Sequence, residues 1–318
     1  MLISGVTIQG GVNLVPGGSG GSPSPSGSHF QGSNFGYSSG GSTPSPNGGV
    51  LSDVIQKFSF SSDGNATDVG DLTLVRQRAA GQSSSASGYT SGARLTPTTY
   101  SNTIDKFPFS SDGNATDVGD LTVTREGPAG QSSTVSGYSS GGQNPSLSNV
   151  IDKFPFASDG NATDVGDLTA ARQKAAGNSS TASGYTSGGA WPNVDVIDKF
   201  PFASDSNATD VGDLTEDRGY VAGQSSSDSG YASGGYDTGV SNVIDKFPFA
   251  SDSNASDVGD LTVARYFVAG QSSTSSGYTS GGQPDTATID KFPFASDANA
   301  TDVGDLLPDL RAQAGAQY

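Results

Sequence analysis

Carboxylates are the charged groups that dominate this chain, with 32 Asp and Glu against 15 Lys and Arg. Two carboxylates that flank a glycosidic bond are the machinery of glycoside hydrolysis. Such a pair is asymmetric, and the acids that are not repeated along the chain include Glu126, Glu216 and Asp217. A glycan-active hydrolase is therefore one alternative. Most of the Asp residues instead recur along the chain at fixed spacing, and this repetition indicates a structural role.

Other reactive groups are scarce. The chain has no Cys, which excludes disulfides, thiol catalysis and Cys-ligated zinc. Its single His, His29, stands outside the repeats and is a poor base for a Ser-His-Asp triad. Oxygen ligands cluster at residues 159–167, but that segment lacks the Asp-x-Asp-x-Asp-Gly loop and terminal Glu of a calcium site. We predict no metal and no cofactor.

The Asp-Gly-Asn of this segment is interpreted instead as a turn capped by its Asp and Asn side chains. The Asn-Ala-Thr that follows matches a glycosylation acceptor, and we assign it to the same turn. Five of the six units also carry an Arg five residues after the Asp of Gly-Asp-Leu. We expect that Arg and that Asp to form an ion pair, as guanidinium and carboxylate forks do.

These acids belong to a unit that is copied six times. The Lys that heads each copy lies fourteen residues before the Asp of Gly-Asp-Leu, and eighteen more residues lead to the Tyr of a Gly-Tyr in five copies. Repeats of about 47 residues occur in propellers and in two-helix arrays. The composition, with 46 Gly, 16 Pro and a net charge of -17, approaches that of disordered chains. Low-complexity sequence would not hold two spacings through six copies.

The unit predicts strands, because no apolar residues recur at helical spacing. Val-Ile-Asp-Lys-Phe-Pro-Phe alternates large apolar with polar residues and, with Ala-Thr-Asp-Val-Gly-Asp-Leu, predicts a hairpin. Ala-Gly-Gln-Ser-Ser and Gly-Tyr-Thr-Ser-Gly-Gly supply two further strands. We therefore predict an all-β six-bladed propeller of four-stranded antiparallel blades. The small residues of Ala-Gly-Gln-Ser suit the crowded axis, and the aromatic residues belong between blades.

The unit resembles the repeat of the Kelch β-propellers. Gly188-Gly189 is similar to the doublet after the second Kelch strand, residues 190–195 to its variable loop and residues 196–202 to its third strand. Residues 208–214, before Arg218, are similar to the fourth strand, although its Trp is absent. The phrase DKFPFxSDxNATDVGDLTxAR also resembles the repeat of virion structural proteins from tailed phages of marine cyanobacteria. That resemblance implies localisation on a virion.

Outside the repeats, the chain divides into an anchor at residues 1–15, a Gly/Ser/Pro linker at 16–27, the propeller at 28–306 and a tail at 307–318. The anchor segment alternates apolar with small or polar residues and predicts a strand or hairpin that docks on another particle subunit. Its apolar side chains are Leu2, Ile3, Val6, Ile8, Val12 and Leu14. Either terminus could complete the first blade, and the amino-terminal segment at residues 28–36 is favoured.

The partners follow from charge and from the variable loops. A net charge of -17 without a basic run predicts no nucleic-acid partner, and no apolar run is long enough for membrane insertion. The loops between the second and third strands vary in length and would share one rim, where binding surfaces are commonly placed. They carry side chains that are enriched among interface anchors, namely Arg94, Tyr100, Trp191 and Tyr236.

These features predict a non-enzymatic virion structural or appendage protein. Its propeller would bind a ligand, such as a host-surface glycan or protein. The alternatives are the hydrolase and a β-solenoid fibre built from the same repeats.

Overall fold

The protein folds as a closed ring of six four-stranded antiparallel sheets, a β-propeller. The computed structural model describes residues 31–43, 49–284 and 286–318, and the described residues form strands and no helix. The proposed anchor, the linker and His29 lie outside these residues. The predicted fold class is confirmed, and the closed ring excludes a solenoid. Among the described residues, no helix is present that could cross a membrane.

Each blade runs from an innermost to an outermost strand. Blade 1 uses β1 (Phe35–Ser39), β2 (Val54–Ser59) and β3 (Thr67–Asp71), with β24 (Ala314–Gln317) innermost. Blade 2 contains β4 (Ala80–Ser83), β5 (Ser87–Thr96), β6 (Thr99–Pro108) and β7 (Thr116–Asp120). Blade 3 contains β8 (Ala129–Ser132), β9 (Ser136–Ser140), β10 (Val150–Pro155) and β11 (Thr163–Asp167).

The remaining blades repeat this pattern. Blade 4 contains β12 (Ala176–Ser179), β13 (Ser183–Ser187), β14 (Val196–Pro201) and β15 (Thr209–Asp213). Blade 5 contains β16 (Ala222–Ser225), β17 (Ser229–Ser233), β18 (Val243–Pro248) and β19 (Ser256–Asp260). Blade 6 contains β20 (Ala269–Ser272), β21 (Ser276–Ser280), β22 (Thr288–Pro293) and β23 (Thr301–Asp305). The four strands of each unit thus lie where the sequence predicts them.

Glycine lets the six innermost strands meet at the axis. A Cβ added to Gly177 would lie 2.1 Å from the carbonyl oxygen of Gly130 in the neighbouring blade. The equivalent glycine of every other blade has the same close neighbour, and these residues are Gly81, Gly130, Gly223, Gly270 and Gly315. Because backbone meets backbone here, no side chain can be added without moving the strands apart. The predicted reason for small residues at the axis is confirmed.

Aromatic side chains fill the spaces between blades. Tyr138 of blade 3 stacks on Phe202 of blade 4, with ring centroids 4.8 Å apart. Ile151 and Leu168 of blade 3 join Phe200 of blade 4 in the same cluster. Equivalent Tyr–Phe stacks recur around the ring. Each blade thereby buries the apolar face of its neighbour, which no blade could do alone.

The repeated Arg does not pair with the Asp of Gly-Asp-Leu, so that prediction is wrong. Arg125, in the link that leads into blade 3, donates from Nη2 to Asp152 of β10 at 2.7 Å, and both side chains are fully buried. Thr122 donates its backbone N–H and its hydroxyl to the same carboxylate. Burial lowers the pKa of Arg125, and Asp152 opposes that shift. The pair therefore holds the link against the next blade.

The Asp-Gly-Asn segment also contacts a neighbouring blade, which corrects its interpretation as a self-capped turn. Asp159 of blade 3 forms an ion pair with Lys106 of blade 2, with Oδ1 and Nζ 3.0 Å apart. The Asn161 side-chain oxygen accepts the backbone N–H of Asp120, at the end of β7, at 3.1 Å. Repetition of these residues thus preserves contacts between blades.

The carboxy-terminal strand closes the ring. β24 pairs antiparallel with β1, so the preference for the amino-terminal segment is corrected, and the last strand lies within the segment assigned to a tail. The reason is register: Gly315 follows Asp305 by ten residues, as Gly81 follows Asp71. At this junction Leu310 replaces the repeated Arg and Gln56 replaces its Asp partner. Gln56 donates instead to the backbone oxygen of Pro308 at 3.3 Å.

Candidate functional site

The variable loops share one face of the ring, as predicted. In each blade the loop between the second and third strands and the link to the next blade lie at the same ends of the antiparallel strands. The two are bonded directly, for example where the Gly142 N–H donates to the Arg172 carbonyl at 2.8 Å. We call this side the loop face and the opposite side, with its tight turns, the turn face.

A closed ring of six backbone hydrogen bonds surrounds the axis on the loop face. Each blade contributes one residue, whose N–H donates to the carbonyl of the equivalent residue in the preceding blade at 2.7 to 3.2 Å. All six have a left-handed φ between 58° and 64°. We call them the collar: Arg78, Gly127, Lys174, Tyr220, Phe267 and Ala312.

The collar combines constant geometry with variable side chains. Its residues stand two positions after the repeated Arg, or after Leu310 in the last copy, and no two are alike. Five are not glycine, although left-handed backbone costs such residues energy and tends to occur at functional sites. These residues were not predicted from the sequence, because the links between blades were interpreted only as connections. Variation at one position of a nearly constant unit was the available signal.

The Arg78 side chain lies between the Glu126 carboxylate and the Phe267 ring. Its guanidinium donates from Nη1 to Glu126 Oε2 at 2.9 Å and lies 4.9 Å from the centroid of the Phe267 ring. Arg94 Nη1 approaches the same Glu126 oxygen at 4.0 Å. Glu126 is buried, and so this carboxylate orients the two arginines at the mouth of the axis.

Lys174 rests among aromatic rings. Its ammonium lies 4.6 Å from the Tyr220 ring centroid and 5.6 Å from that of Trp191, and it donates to the Tyr220 hydroxyl at 3.3 Å. The Lys174 pKa is lowered to about 8, mainly by burial and also by the positive charges of Arg78 and Arg94, which Glu126 partly offsets. The lysine is thus held as a cation in a place that disfavours its charge.

The predicted binding residues lie on the loop face at different distances from the collar. Trp191 is 67% exposed and donates from its indole N–H to the Tyr220 hydroxyl at 3.2 Å. Tyr236 packs on Tyr266, with ring centroids 5.2 Å apart, and Tyr266 packs on Phe267 of the collar. Trp191 and Arg94 therefore reach the mouth directly, and Tyr236 reaches it through Tyr266.

Tyr100 is placed further out. It pairs with Arg94 in the extended hairpin of β5 and β6, which is longer than the corresponding hairpin of the other described blades. Its side chain is half-buried. The structure thus brings three of the four predicted residues toward one centre and leaves Tyr100 on the hairpin beside it.

A small cavity of about 80 Å³ lies at the collar, lined by the six collar residues and the residue after each. A second, of about 110 Å³, continues along the axis between the innermost strands. Gln313 lines both. It is only 6% exposed, and neither its amide oxygen nor its amide nitrogen has a hydrogen-bond partner in the described residues. The equivalent residues are apolar, namely Ala79, Pro128, Ala175, Val221 and Val268.

The unrepeated acids are divided between two places. Glu126 pairs with Arg78 of the collar, whereas Glu216 and Asp217 line a separate surface pocket of about 480 Å³ with Asp237. Partial burial raises the pKa of Asp217, with further contributions from Asp195 and Asp237. In the described part of the chain no three His, Cys, Asp or Glu side chains are grouped as a metal site requires.

No family model matches the chain, and neither does any curated protein. The site is therefore interpreted from its own geometry.

Proposed function

We propose that this protein is a non-enzymatic binding module that presents its loop face to a ligand. One observation carries the proposal: side chains that break the sixfold repeat gather at the collar and in the loops around it. A scaffold that is constant elsewhere and variable at one mouth is how binding surfaces are commonly built. Propellers as a class serve many functions, so the proposed binding function is supported by the site and not by the fold.

We place the module on a virion, as a structural or appendage protein with a Kelch-like propeller. The support is the resemblance of its repeat to virion proteins of cyanobacterial phages and to Kelch units. Residues 1–15 would join it to other particle subunits, and the loop face would meet a host-surface glycan or protein. The acidic chain offers no basic run to a nucleic acid.

The binding face is tested by binding the purified protein to cyanobacterial cells and to their isolated surface polysaccharide. We expect Trp191→Ala combined with Tyr236→Ala to weaken binding at least tenfold, because exposed aromatic side chains are frequent interface anchors. Val135→Ser is the matched control, since Val135 is 65% exposed in the turn between β8 and β9 on the turn face. Equal binding by both variants would contradict the proposal.

The anchor is tested separately on the assembled particle. Without residues 1–15 the protein should be missing from particles while its binding in solution is unchanged. Normal occupancy of the truncated protein would contradict the anchoring role.

The hydrolase alternative has its own readout in the same polysaccharide sample. The pocket of Glu216 and Asp217, with the raised pKa of Asp217, is the observation that favours it. New reducing ends that appear with the wild type and vanish with Asp217→Asn would establish hydrolysis. We expect none.

A further inference from the structure

The mouth of the collar has an excess of positive charge. Arg78 and Arg94 both approach Glu126, and their charges act on Lys174, whose pKa they lower and Glu126 raises. The six lysines of the repeat each pair with an Asp at 2.5 to 3.3 Å. Lys174 forms no ion pair with any described residue. Since two cations share one carboxylate here and a third has none, the mouth offers charge to an anion.

Unused hydrogen-bonding groups face the same space. The amide of Gln313 lines the cavity at the collar, and both of its polar atoms are buried without a partner among the described residues. The Arg78 Nε–H is likewise buried and unpartnered there. A buried polar group without a hydrogen bond destabilises the fold, because its hydration is lost without replacement. A bound group that accepts from and donates to these atoms would recover that energy.

An exposed apolar ring stands at the edge of the mouth. Trp191 is 67% exposed, and its indole is oriented by the bond to the Tyr220 hydroxyl and by Lys174. Aromatic walls beside a few fixed polar groups are typical of sites for small ligands. A sugar ring has both an apolar C–H face for the indole and hydroxyls for an amide such as Gln313.

The rest of the molecule limits the length of the charged ligand. The chain has a net charge of -17, and every outermost strand of the ring carries two Asp residues. A continuous polyanion lying across the loop face would be repelled at its edge. The cavity of about 80 Å³ is small. Both facts favour a ligand with a single acidic group at its end over a continuous polyanion.

We infer that the collar binds the terminal acidic sugar of a glycan, with its carboxylate or sulfate held by Arg78 and Lys174 and its ring against Trp191. The inference rests on the proposed binding function and names its ligand class. Glu126 positions Arg78 for the anion, and Gln313 completes the floor of the site.

The single Trp of the chain makes the test direct. Titration of the whole protein with glucuronate, glucose 6-sulfate and neutral glucose is followed by Trp191 fluorescence. We expect both anionic sugars to change the emission and to bind at least tenfold more tightly than glucose. Lys174→Gln and Arg78→Gln should each weaken the anionic sugars at least tenfold. Thermal unfolding verifies that the variants are folded.

Lys106→Gln is the matched control. It removes the same charge from a lysine whose ion pair with Asp159 lies on the turn face, so the affinity should not change. Equal weakening by this variant would show a general effect of net charge and overturn the site. If inorganic sulfate binds as tightly as glucose 6-sulfate, the sugar ring contributes nothing and the proposed glycan ligand is wrong. If an acetyl-glutamate peptide binds more tightly than glucuronate, the ligand is an acidic protein segment and the proposed glycan is again wrong.

The pH dependence gives an independent readout. Lys174 faces Arg78, Arg94, Glu126 and the Tyr220 hydroxyl, and its charge is lost as the pH rises through about 8. The affinity for glucuronate should fall at least threefold between pH 7 and pH 9. Lys174→Arg should abolish this dependence because arginine keeps its charge in this range. A flat profile for the wild type would contradict the role of Lys174.

Failure of this inference is distinguishable from failure of the proposed function. If the loop-face variants no longer bind cells while no acidic sugar changes the Trp191 fluorescence, the proposed ligand class is wrong but the loop face is still the binding surface. If neither loop-face variants nor Lys174→Gln affects any binding, both are wrong.

Discussion

At the scale of residues, the buried ion pairs between links and blades require two charges to be removed from water, which costs desolvation free energy. Arg125 and Asp152 are both fully buried, as are their equivalents in four other copies. A buried pair has little net value over apolar packing, but breaking it leaves an uncompensated charge. The three donors to Asp152, from Arg125 and Thr122, show how fully the carboxylate is used.

Asp152→Asn should therefore destabilise the protein strongly. It keeps the shape of the side chain and leaves Arg125 buried without its counter-ion, which costs about 3 to 5 kcal/mol. Asp159→Asn makes the same chemical change in an exposed pair and should cost less than about 1 kcal/mol. Urea unfolding measures both. Similar losses for the two variants would show that the buried pair has no special weight.

At the scale of elements, the innermost strands are limited by contact at the axis. Their glycines do not need a left-handed φ; they need room, because a neighbouring carbonyl occupies the position of a Cβ. The collar residues that precede these strands show the opposite condition. There the backbone is left-handed while the side chains are free to vary. One short segment thus contains both the most constrained and the most variable positions of the unit.

Gly177→Ala should disturb this packing, since its Cβ would lie 2.1 Å from the Gly130 oxygen. Overpacking of this kind costs about 1 to 3 kcal/mol. Gly160→Ala is the control, because nothing lies within 4 Å of its added Cβ and its φ is not left-handed. Its stability should be unchanged or slightly higher. Thermal unfolding decides, and an unaffected Gly177→Ala would mean that the strands can separate at little cost.

At the scale of the whole molecule, the junction of blades 1 and 6 differs from the other five. It is closed by β24 and lacks the buried Arg–Asp pair, because Leu310 and Gln56 stand in those two positions. The Gln56 amide instead donates to the Pro308 carbonyl and accepts the Leu307 N–H. The Lys291–Asp63 ion pair on the turn face persists at this junction. Ring closure therefore depends on strand pairing, on neutral hydrogen bonds and on this exposed ion pair, without a buried one.

Removal of residues 314–318 should open the ring at this junction. The edge of β1 would lose its partner, and an unpaired edge promotes aggregation. We expect a lower melting temperature and rapid hydrogen exchange of the β1 amides. Removal of residues 1–15 is the control and should leave both unchanged. Retained protection of β1 in the first variant would show that another segment can close the ring.

The periodicity of the chain determined the architecture, and contacts between blades determined the site. Equal spacings, period-two alternation and small inner residues are local properties, so the six blades and their four strands could be read in order. The partner of Arg125, the role of Asn161 and closure by β24 could not, since each depends on which segments the closed ring brings together. The collar is the clearest case. Its left-handed residues are brought into one ring of hydrogen bonds only when six blades close around an axis, and so Arg78 and Lys174 become neighbours although 96 residues separate them in the sequence.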